Sequence, residues 1–220
     1  MGHDLRMFEP TQRFDAVVAE IDAANANDPR TIVVDGAERP YEIVYAERMG
    51  ERLTSIYPEA SELLRIAAHA QHIRRWDIPR SGFPEGRRGY NDWRKNCREH
   101  HARLATGIMT SHGYVEDEIH HVVLLIKKEQ LKKDKESQAL ENVVAVVFLE
   151  HYFDEFLSKH DHYSDDKIVD IIGKTLRKMS PKGHSAALAL ALPKRARKLV
   201  EAALAREAPV LDKLAGVAID

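Results

Sequence analysis

Apolar residues recur with helical spacing along most of the chain, and this pattern predicts a bundle of helices. It predicts helices over about 14–24, 42–56, 58–76, 91–110, 116–128, 137–157, 167–178 and 193–206. The third of these is apolar almost all round, which is typical of a central helix. A short extended segment is expected near residues 31–44, where 31–34 either pairs with 41–44 or forms only a loop.

Capping and turn residues mark where the predicted helices begin and end. Pro58 suits the first turn of the third helix, and Asn91 is the expected cap of the fourth. The Gly/Pro-rich stretch 78–90 is predicted to be a loop, and loops of this length are often functional. Residues 179–183 are expected to end the seventh helix, and the tail after residue 206 to be loosely ordered.

Length and composition predict one all-α domain over residues 1–220. The chain has 220 residues, of which 44% are hydrophobic, enough for a substantial core that we place at about 14–192. The terminal helix 193–206 is expected to pack on this core. The formal net charge of -2 excludes a global attraction to nucleic acid or membrane, so any such attraction needs a local patch.

The cysteine content and the apolar runs predict a cytoplasmic location. Cys97 is the single cysteine, so no disulfide forms within the chain, which fits a reducing compartment. The opening residues 1–6 lack the apolar segment of a signal peptide. The longest apolar run, 143–149, is too short to span a bilayer.

Two of the twelve histidines are predicted to face the interior from adjacent helices, namely His72 and His101. Glu129 ends the fifth predicted helix, and Glu141 precedes the apolar run of the sixth. Imidazole and carboxylate groups on helices can bind Mn, Fe or Zn. The four residues are therefore a candidate set of ligands for a divalent metal. The alternatives are hydrogen-bonded core histidines and a structural network of arginine and glutamate.

Positive charge and aromatic rings are concentrated from residue 74 to residue 98. Arginine binds phosphate or carboxylate groups bidentately, and neighbouring aromatic rings can stack on a base. The predicted substrate-binding residues are Arg65, Arg74, Arg75, Arg80, Tyr90, Trp93, Arg94, Lys127 and Lys128. The expected partner is a phosphorylated small molecule, a nucleotide or RNA. Alternatively, the arginines pair with Asp77, Glu85 and Asp92 in a solvated loop.

Several short motifs in this region and beyond it resemble the uncharacterised DUF4202 family over roughly residues 14–192. The motifs are Ala-Gln-His-Ile-Arg-Arg-Trp (70–76), Ile-Pro-Arg (78–80), Gly-Tyr-Asn-Asp-Trp-Arg (89–94), Gly-Tyr (113–114), Leu-Glu-Asn-Val (140–143) and Val-Phe-Leu-Glu (147–150). They occur in order along the chain, which makes the resemblance specific. It implies little about function.

More distantly, the chain is similar to the HD superfamily of metal-dependent phosphohydrolases, which implies an HD-like helical bundle. The segments 45–49, 65–73 and 140–144 look like those that supply the metal ligands of that superfamily. Here Tyr45 stands at the first His, Gln71-His72 at the His-Asp pair, and Asn142 at the last Asp. The resemblance therefore implies either a rebuilt metal site or the same fold without the metal.

The HD resemblance implies an HD-like metal-dependent hydrolase that acts on a phosphorylated or nucleotide-type substrate. Its metal activates a water molecule, and Glu150, which follows the apolar run of the sixth helix, is the candidate catalytic base. The alternative is a non-catalytic HD-like module that binds a nucleotide or RNA. A metal-dependent oxygenase and a purely structural or partner-binding protein are further alternatives, so enzymatic activity stays open.

Overall fold

Residues 8–216 are described by the computed structural model, and they divide into two compact units, one up to Glu129 and one from Gln130. Nearly all their regular structure is helical, which confirms the predicted all-α class. None of the described helices is both long and apolar enough to cross a membrane. Residues 1–6, used above to predict that no signal peptide is present, lie outside the described range, as do residues 217–220 of the tail.

The first unit packs its helices around a core that includes Ile21, Met49 and Ile66, each fully buried. Its elements are α1 (Gln12–Asn25), β1 (Thr31–Val34), β2 (Ala37–Pro40), α2 (Tyr41–Ile56), α3 (Glu62–His69), α4 (Gly86–Ser111) and α5 (Glu116–Lys127). Short 3-10 turns at Arg75–Asp77 and Arg80–Gly82 lie between α3 and α4. Apolar stripes on all these helices supply the core, as the helical spacing predicted.

The second unit is organised around a central helix that is buried almost all round. Its elements are α6 (Lys135–His151), α7 (Phe153–Lys159), α8 (Asp165–Leu176), α9 (Pro181–Leu188) and α10 (Lys194–Ala215). The β-branched stretch 143–147 lies within α6, which confirms the prediction of helix over strand there. α6 packs against α9, and α8 packs against α10.

The short extended segment predicted near residues 31–44 is present as a two-stranded hairpin, but neither alternative for 31–34, pairing with 41–44 or a loop, is correct. β1 pairs antiparallel with β2, and Val34 lies opposite Ala37. The two turn residues, Asp35 at φ 51° and Gly36 at φ 80°, both have the left-handed conformation that closes a tight hairpin. A tight turn therefore returns the chain at once, and the residues from Tyr41 onward are helical.

Three predicted boundaries in the first unit are also wrong. Pro58 was expected in the first turn of the third helix, but α3 begins only at Glu62. Ser61 is its cap, because the Ser61 hydroxyl accepts a hydrogen bond from the backbone N–H of Leu64 at 3.1 Å. α3 ends at His69 and not at 76, so the residues that follow it lie in turns. α4 begins at Gly86, so the expected cap, Asn91, lies inside the helix.

The second unit differs from the prediction at three helix ends. The predicted helix 137–157 is broken at Tyr152, whose backbone (φ −125°, ψ −6°) is not helical, so α6 and α7 are separate. Pro181 was expected to end a helix but begins α9, where its missing N–H costs nothing in the first turn. α10 extends past residue 206 to Ala215, although Pro209 lies inside it.

Candidate functional site

A small group of polar side chains is brought together inside the first unit, and we call Glu42, Tyr45, His72 and His101 the His72 cluster. Glu42 and Tyr45 lie in the first two turns of α2, and His101 lies in α4. The His72 Nδ1 atom is 3.3 Å from Glu42 Oε2, and the rings of His72 and His101 have centroids 6.0 Å apart. Tyr45 stacks on His72, with ring centroids 3.9 Å apart and an angle of 13° between the planes.

The irregular backbone after α3 places His72 within this cluster. Arg74 has a left-handed conformation (φ 49°), and its backbone N–H donates to Asn25 Oδ1 at 3.0 Å. The carbonyl oxygen of Ile73 accepts a hydrogen bond from His101 Nδ1 at 2.8 Å. These two bonds tie the turn to α1 and α4. The position of His72 therefore depends on tertiary contacts, because helical spacing stops at His69.

Glu42 is held from the hairpin side by a charged network. One of its carboxylate oxygens, Oε1, accepts a hydrogen bond from Arg30 Nη2 at 2.6 Å. Arg30 also donates to both carboxylate oxygens of Asp28, at 3.0 and 2.9 Å. The backbone N–H of Glu42 donates to Asp28 Oδ2 at 3.1 Å. This network fixes the carboxylate so that its second oxygen, Oε2, lies beside His72.

Three atoms of the cluster are buried without a hydrogen-bond partner among the described residues. They are Glu42 Oε2, His72 Nδ1 and His101 Nε2. The first two are close but are not aligned for a hydrogen bond. Buried polar atoms are usually satisfied, because each unmade bond costs roughly 1–3 kcal/mol. Three such atoms in one cluster therefore indicate a functional site, since they lower the stability of the fold.

Both imidazoles of the cluster are neutral at pH 7. Burial, together with the neighbouring His72, lowers the pKa of His101 to about 3. The pKa of His72 lies well below its ordinary value, chiefly because of burial and then because of the positive charges of Arg75 and Lys128. Burial raises the pKa of Glu42, although the hydrogen bond from Arg30 opposes this. His72 is the partly accessible member, since 25% of its side chain is exposed.

Two arginines, Arg75 and Arg94, lie next to this cluster, and the charge of Arg75 also acts on Glu42. Arg75 and Arg94 are both among the cations that lower the pKa of His72, after the larger effect of burial. The Arg75 guanidinium lies 4.6 Å from the centre of the Trp93 ring, and that of Arg94 lies 5.8 Å from the ring of Tyr90. Within the described part of the chain, neither arginine forms an ion pair or a hydrogen bond to a carboxylate. The site therefore has a surplus of positive charge.

A comparison with protein families identifies the family of this chain. The sequence model of the family described as "Domain of unknown function (DUF4202)" matches residues 15–200. The chain belongs to the DUF4202 family. The resemblance drawn from the sequence motifs is thereby confirmed, whereas the similarity to the HD superfamily stays a prediction. Neither the search of the curated proteins nor that of the solved structures gives a match.

In this DUF4202 chain, two predicted substrate ligands have partners away from the His72 cluster. Arg65 donates to the carbonyl oxygens of Ala60 at 3.2 Å and Pro58 at 2.8 Å, so it anchors the loop before α3. The Lys127 ammonium lies 2.8 Å from a carboxylate oxygen of Glu99. Both cations have neighbours that compete with an external anion. Their role as substrate ligands stays a prediction.

Two more predicted ligands shape the loop before α4. Arg74 pairs with Asp77, with its Nε atom 2.9 Å from Asp77 Oδ2. Arg80 donates to the carbonyl oxygens of Phe83 at 2.9 Å and Pro84 at 3.0 Å. The pairing of Arg74 matches the solvated-loop alternative considered for these arginines. Arg80, by contrast, satisfies backbone groups and so orders the 78–85 loop.

The remaining predicted substrate ligands are Tyr90, Trp93 and Lys128, besides Arg75 and Arg94 themselves. Tyr90 is 45% exposed, close to the start of α4. The Trp93 indole N–H donates to the carbonyl oxygen of Ile78 at 2.9 Å. Lys128 follows α5 in a left-handed conformation (φ 61°), and its charge acts on His72. Together with Arg75 and Arg94, these residues form the part of the predicted basic surface that lies closest to the His72 cluster.

Two of the predicted metal ligands are brought together within the first unit. His72 and His101 are neighbours, whereas Glu129 is exposed, 4.0 Å from Lys127 Nζ, and Glu141 belongs to the second unit. No group of three or more His, Cys, Asp or Glu among residues 8–216 is placed to hold a metal ion. A bound Mn, Fe or Zn ion stays a prediction.

Sequence reasoning missed Glu42, which is the carboxylate that does lie beside the histidines. Its side chain is completely buried, and its partners Asp28 and Arg30 come from the segment before the hairpin. One signal was present: Glu42 lies three residues before Tyr45 and so shares a helix face with it. Since Tyr45 was already singled out by the HD resemblance, that spacing could have drawn attention to Glu42.

Two further predicted positions lie in the second unit. Glu150, the candidate base, lies in α6 with 22% of its side chain exposed, and its carboxylate is 3.2 Å from His151 Nε2. Asn142 has a clear structural contact, because its amide N–H donates to Ser180 Oγ at 2.8 Å. Its carbonyl accepts from the Ser180 backbone N–H at 3.0 Å, at the start of α9. A catalytic role for Glu150 stays a prediction.

Proposed function

We propose that the His72 cluster, with Arg75 and Arg94, binds the phosphate group of a phosphorylated or nucleotide-type small molecule. The observation that carries the proposal is a pair of arginines, without a hydrogen bond to any carboxylate of residues 8–216, beside a neutral, partly exposed imidazole. A guanidinium matches the geometry of phosphate oxygens and can bind them bidentately. An anion placed there would also relieve the mutual repulsion of the cations.

The neutral state of His72 suits a phosphate ligand. A neutral imidazole can donate one hydrogen bond and accept another, so it can contact a phosphate oxygen without adding charge. The positive charge of Lys128 also acts on His72. The negative charges of Glu42 and Asp28 act against an anion, but Arg30 hydrogen-bonds to both carboxylates and Arg75 also acts on Glu42. Arg30, Arg75 and Arg94 together exceed these two carboxylates by one positive charge. The net field at the site therefore favours an anion.

Calorimetric titration of the full chain with ribose 5-phosphate and inorganic phosphate tests the proposal. Arg75→Gln and Arg94→Gln should each weaken binding about tenfold or more, because each removes a charge-assisted hydrogen bond. Lys95→Gln is the matched control, since Lys95 is an exposed cation of the same helix adjacent to Arg94. The proposal would be contradicted if the wild-type protein bound neither ligand, or if all three variants lost affinity equally.

A second candidate function is metal-dependent hydrolysis of the same class of substrate, in the manner expected of an HD-like enzyme. The unsatisfied Glu42 Oε2, His72 Nδ1 and His101 Nε2 atoms favour it, because carboxylate and imidazole groups are typical metal ligands. As the side chains stand, no three such residues within 8–216 are placed to hold an ion. The ligand set therefore does not fit a metal centre, and we derive no hydrolytic step through one.

The variant Glu42→Gln separates the two candidates. For an anion-binding site without a metal, the loss of a negative charge should tighten the binding of inorganic phosphate. For a metal-dependent hydrolase, it should remove a ligand and abolish any metal-dependent release of phosphate. Elemental analysis of protein purified without a chelator, with melting temperatures in Mn, Fe or Zn, completes the test.

The buried thiol of Cys97 fits the reducing, cytoplasmic location that we also propose.

A further inference from the structure

Tyr90 is a large aromatic side chain that remains 45% exposed beside the proposed phosphate site. Its ring lies 5.7 Å from that of Trp93, at an angle of 48°. The Arg94 guanidinium is 5.8 Å from the Tyr90 centroid. An exposed aromatic ring next to a cation offers a surface on which another flat, electron-rich ring can stack.

The backbone that carries Tyr90 is held in place. Gly89 lies so close to the preceding loop that a Cβ atom there would be 1.9 Å from the carbonyl oxygen of Pro84. Arg80 donates to that same carbonyl at 3.0 Å. The Trp93 indole is fixed by its hydrogen bond to Ile78. The Tyr90 ring is thus presented from a rigid helix start, which lowers the entropic cost of binding a ligand.

Arg94 links this aromatic surface to the His72 cluster. The same guanidinium lies near the Tyr90 ring and is among the cations that act on His72. A ligand with a phosphate group beside Arg94 would therefore place whatever that phosphate carries close to Tyr90. Since a base offers the ring a planar aromatic face, whereas a ribose offers only a small puckered one, the substituent that gains most from this position is a base.

We infer that Tyr90 stacks against the base of a nucleoside monophosphate whose phosphate group lies beside Arg75 and Arg94. The inference rests on the proposed phosphate site and names its ligand class. The charges of Arg75 and Arg94 both act on the same imidazole, that of His72. This arrangement suits one phosphate group better than the repeated phosphates of an RNA strand.

Titration of the full chain with AMP, CMP and ribose 5-phosphate tests the inference. Both nucleotides should bind wild-type protein about tenfold more tightly than ribose 5-phosphate, since stacking is favourable for every base. Tyr90→Leu should remove this advantage and leave the affinity for ribose 5-phosphate unchanged. Tyr90→Phe should retain it, and Tyr163→Leu, a matched change in the second unit, should have no effect.

The outcomes distinguish the base site from the phosphate site. Equal affinities of AMP and ribose 5-phosphate for wild-type protein, or an advantage that survives Tyr90→Leu, would overturn the inference and leave the phosphate site standing. The absence of binding by any of the ligands would overturn both. A short oligoribonucleotide that binds over about a hundredfold more tightly than AMP, with a steep salt dependence, would assign the surface to RNA instead.

Discussion

Both units bury a polar cluster, but the two clusters are satisfied to very different degrees. In the second unit, the carbonyl of Asn142 accepts from the Ser180 backbone and from Gln138 Nε2, and its amide donates to Ser180 Oγ. In the first unit, Glu42, His72 and His101 each retain a buried atom without a hydrogen bond to the described residues.

This difference separates polar groups that build the fold from polar groups that are available to a ligand. A satisfied buried network lowers the energy of one arrangement and so specifies it. An unsatisfied one costs stability, and proteins generally retain such groups at functional sites. By this criterion Asn142, which the HD resemblance placed at a metal-ligand position, contributes to the packing of α9. The His72 cluster carries the functional prediction.

The largest expected effect comes from breaking the satisfied cluster. Asn142→Leu preserves the approximate shape of the side chain but leaves Ser180 and Gln138 without their buried partner. The free energy of unfolding should fall by about 3 kcal/mol, because several buried groups lose hydrogen bonds together. Urea unfolding followed by circular dichroism measures it. A loss under about 1 kcal/mol would show that the network does not stabilise the second unit.

The next effect concerns pH and the buried imidazole of His101. Its pKa is about 3 in the folded protein and about 6.5 in an unfolded chain, so below pH 6.5 only the unfolded state binds the proton. The contribution of neutral His101 to the free energy of unfolding is therefore complete above about pH 6.5. It is lost as the pH falls from there towards pH 3, by about 1.4 kcal/mol per pH unit.

The variant His101→Asn isolates this contribution. The asparagine amide can still donate a hydrogen bond to the carbonyl oxygen of Ile73, which accepts from the native imidazole at 2.8 Å. Urea unfolding between pH 7 and pH 5 should give a mean slope smaller by about 1 kcal/mol per pH unit than that of wild type, because the unfolded chain takes up the proton only below about pH 6.5. Identical slopes would mean that His101 is not held neutral by burial.

A pair of glycine substitutions tests how closely the Asn142 network is packed. A Cβ atom at Gly183, in α9, would lie 2.5 Å from Asn142 Oδ1, so Gly183→Ala should cost about 1.5 kcal/mol by overpacking. A Cβ atom at Gly107, in α4, meets nothing within 4 Å, so Gly107→Ala should stabilise by about 1 kcal/mol. If both substitutions raise the melting temperature, the network is looser than its distances indicate.

The smallest effect is expected at the unsatisfied cluster itself. Glu42→Gln removes a buried charge whose pKa is raised by burial, and Arg30, with 44% of its side chain exposed, keeps its contacts to Asp28. The free energy of unfolding should change by less than about 1 kcal/mol, because no buried charge is left unpaired.

Asp28→Asn provides the matched comparison for that variant. Asp28 accepts hydrogen bonds from the Arg30 side chain and from the backbone N–H of Glu42, so its loss should cost about 2 kcal/mol. Equal losses for Glu42→Gln and Asp28→Asn in urea unfolding would erase the contrast between a structural carboxylate and one available to a ligand.

The sequence by itself predicted the all-α class, the family and the inward position of His101. All three rest on local or linear signals: the spacing of apolar residues, ordered motifs, and the stripe of α4 that carries Cys97 and His101. The same local signals identified the concentration of arginine and aromatic residues from 74 to 98. They could not tell that Arg74 forms an ion pair with Asp77 whereas, among residues 8–216, Arg75 and Arg94 form none with a carboxylate.

The tertiary structure alone decided which carboxylate meets the histidines. Helical periodicity ends at His69, so the position of His72 is set by the bonds that tie Arg74 to Asn25 and Ile73 to His101. Glu42 becomes part of the site because Arg30, from before the hairpin, fixes one of its oxygens. Such contacts join distant parts of the chain through burial and charge, and no short-range pattern encodes them.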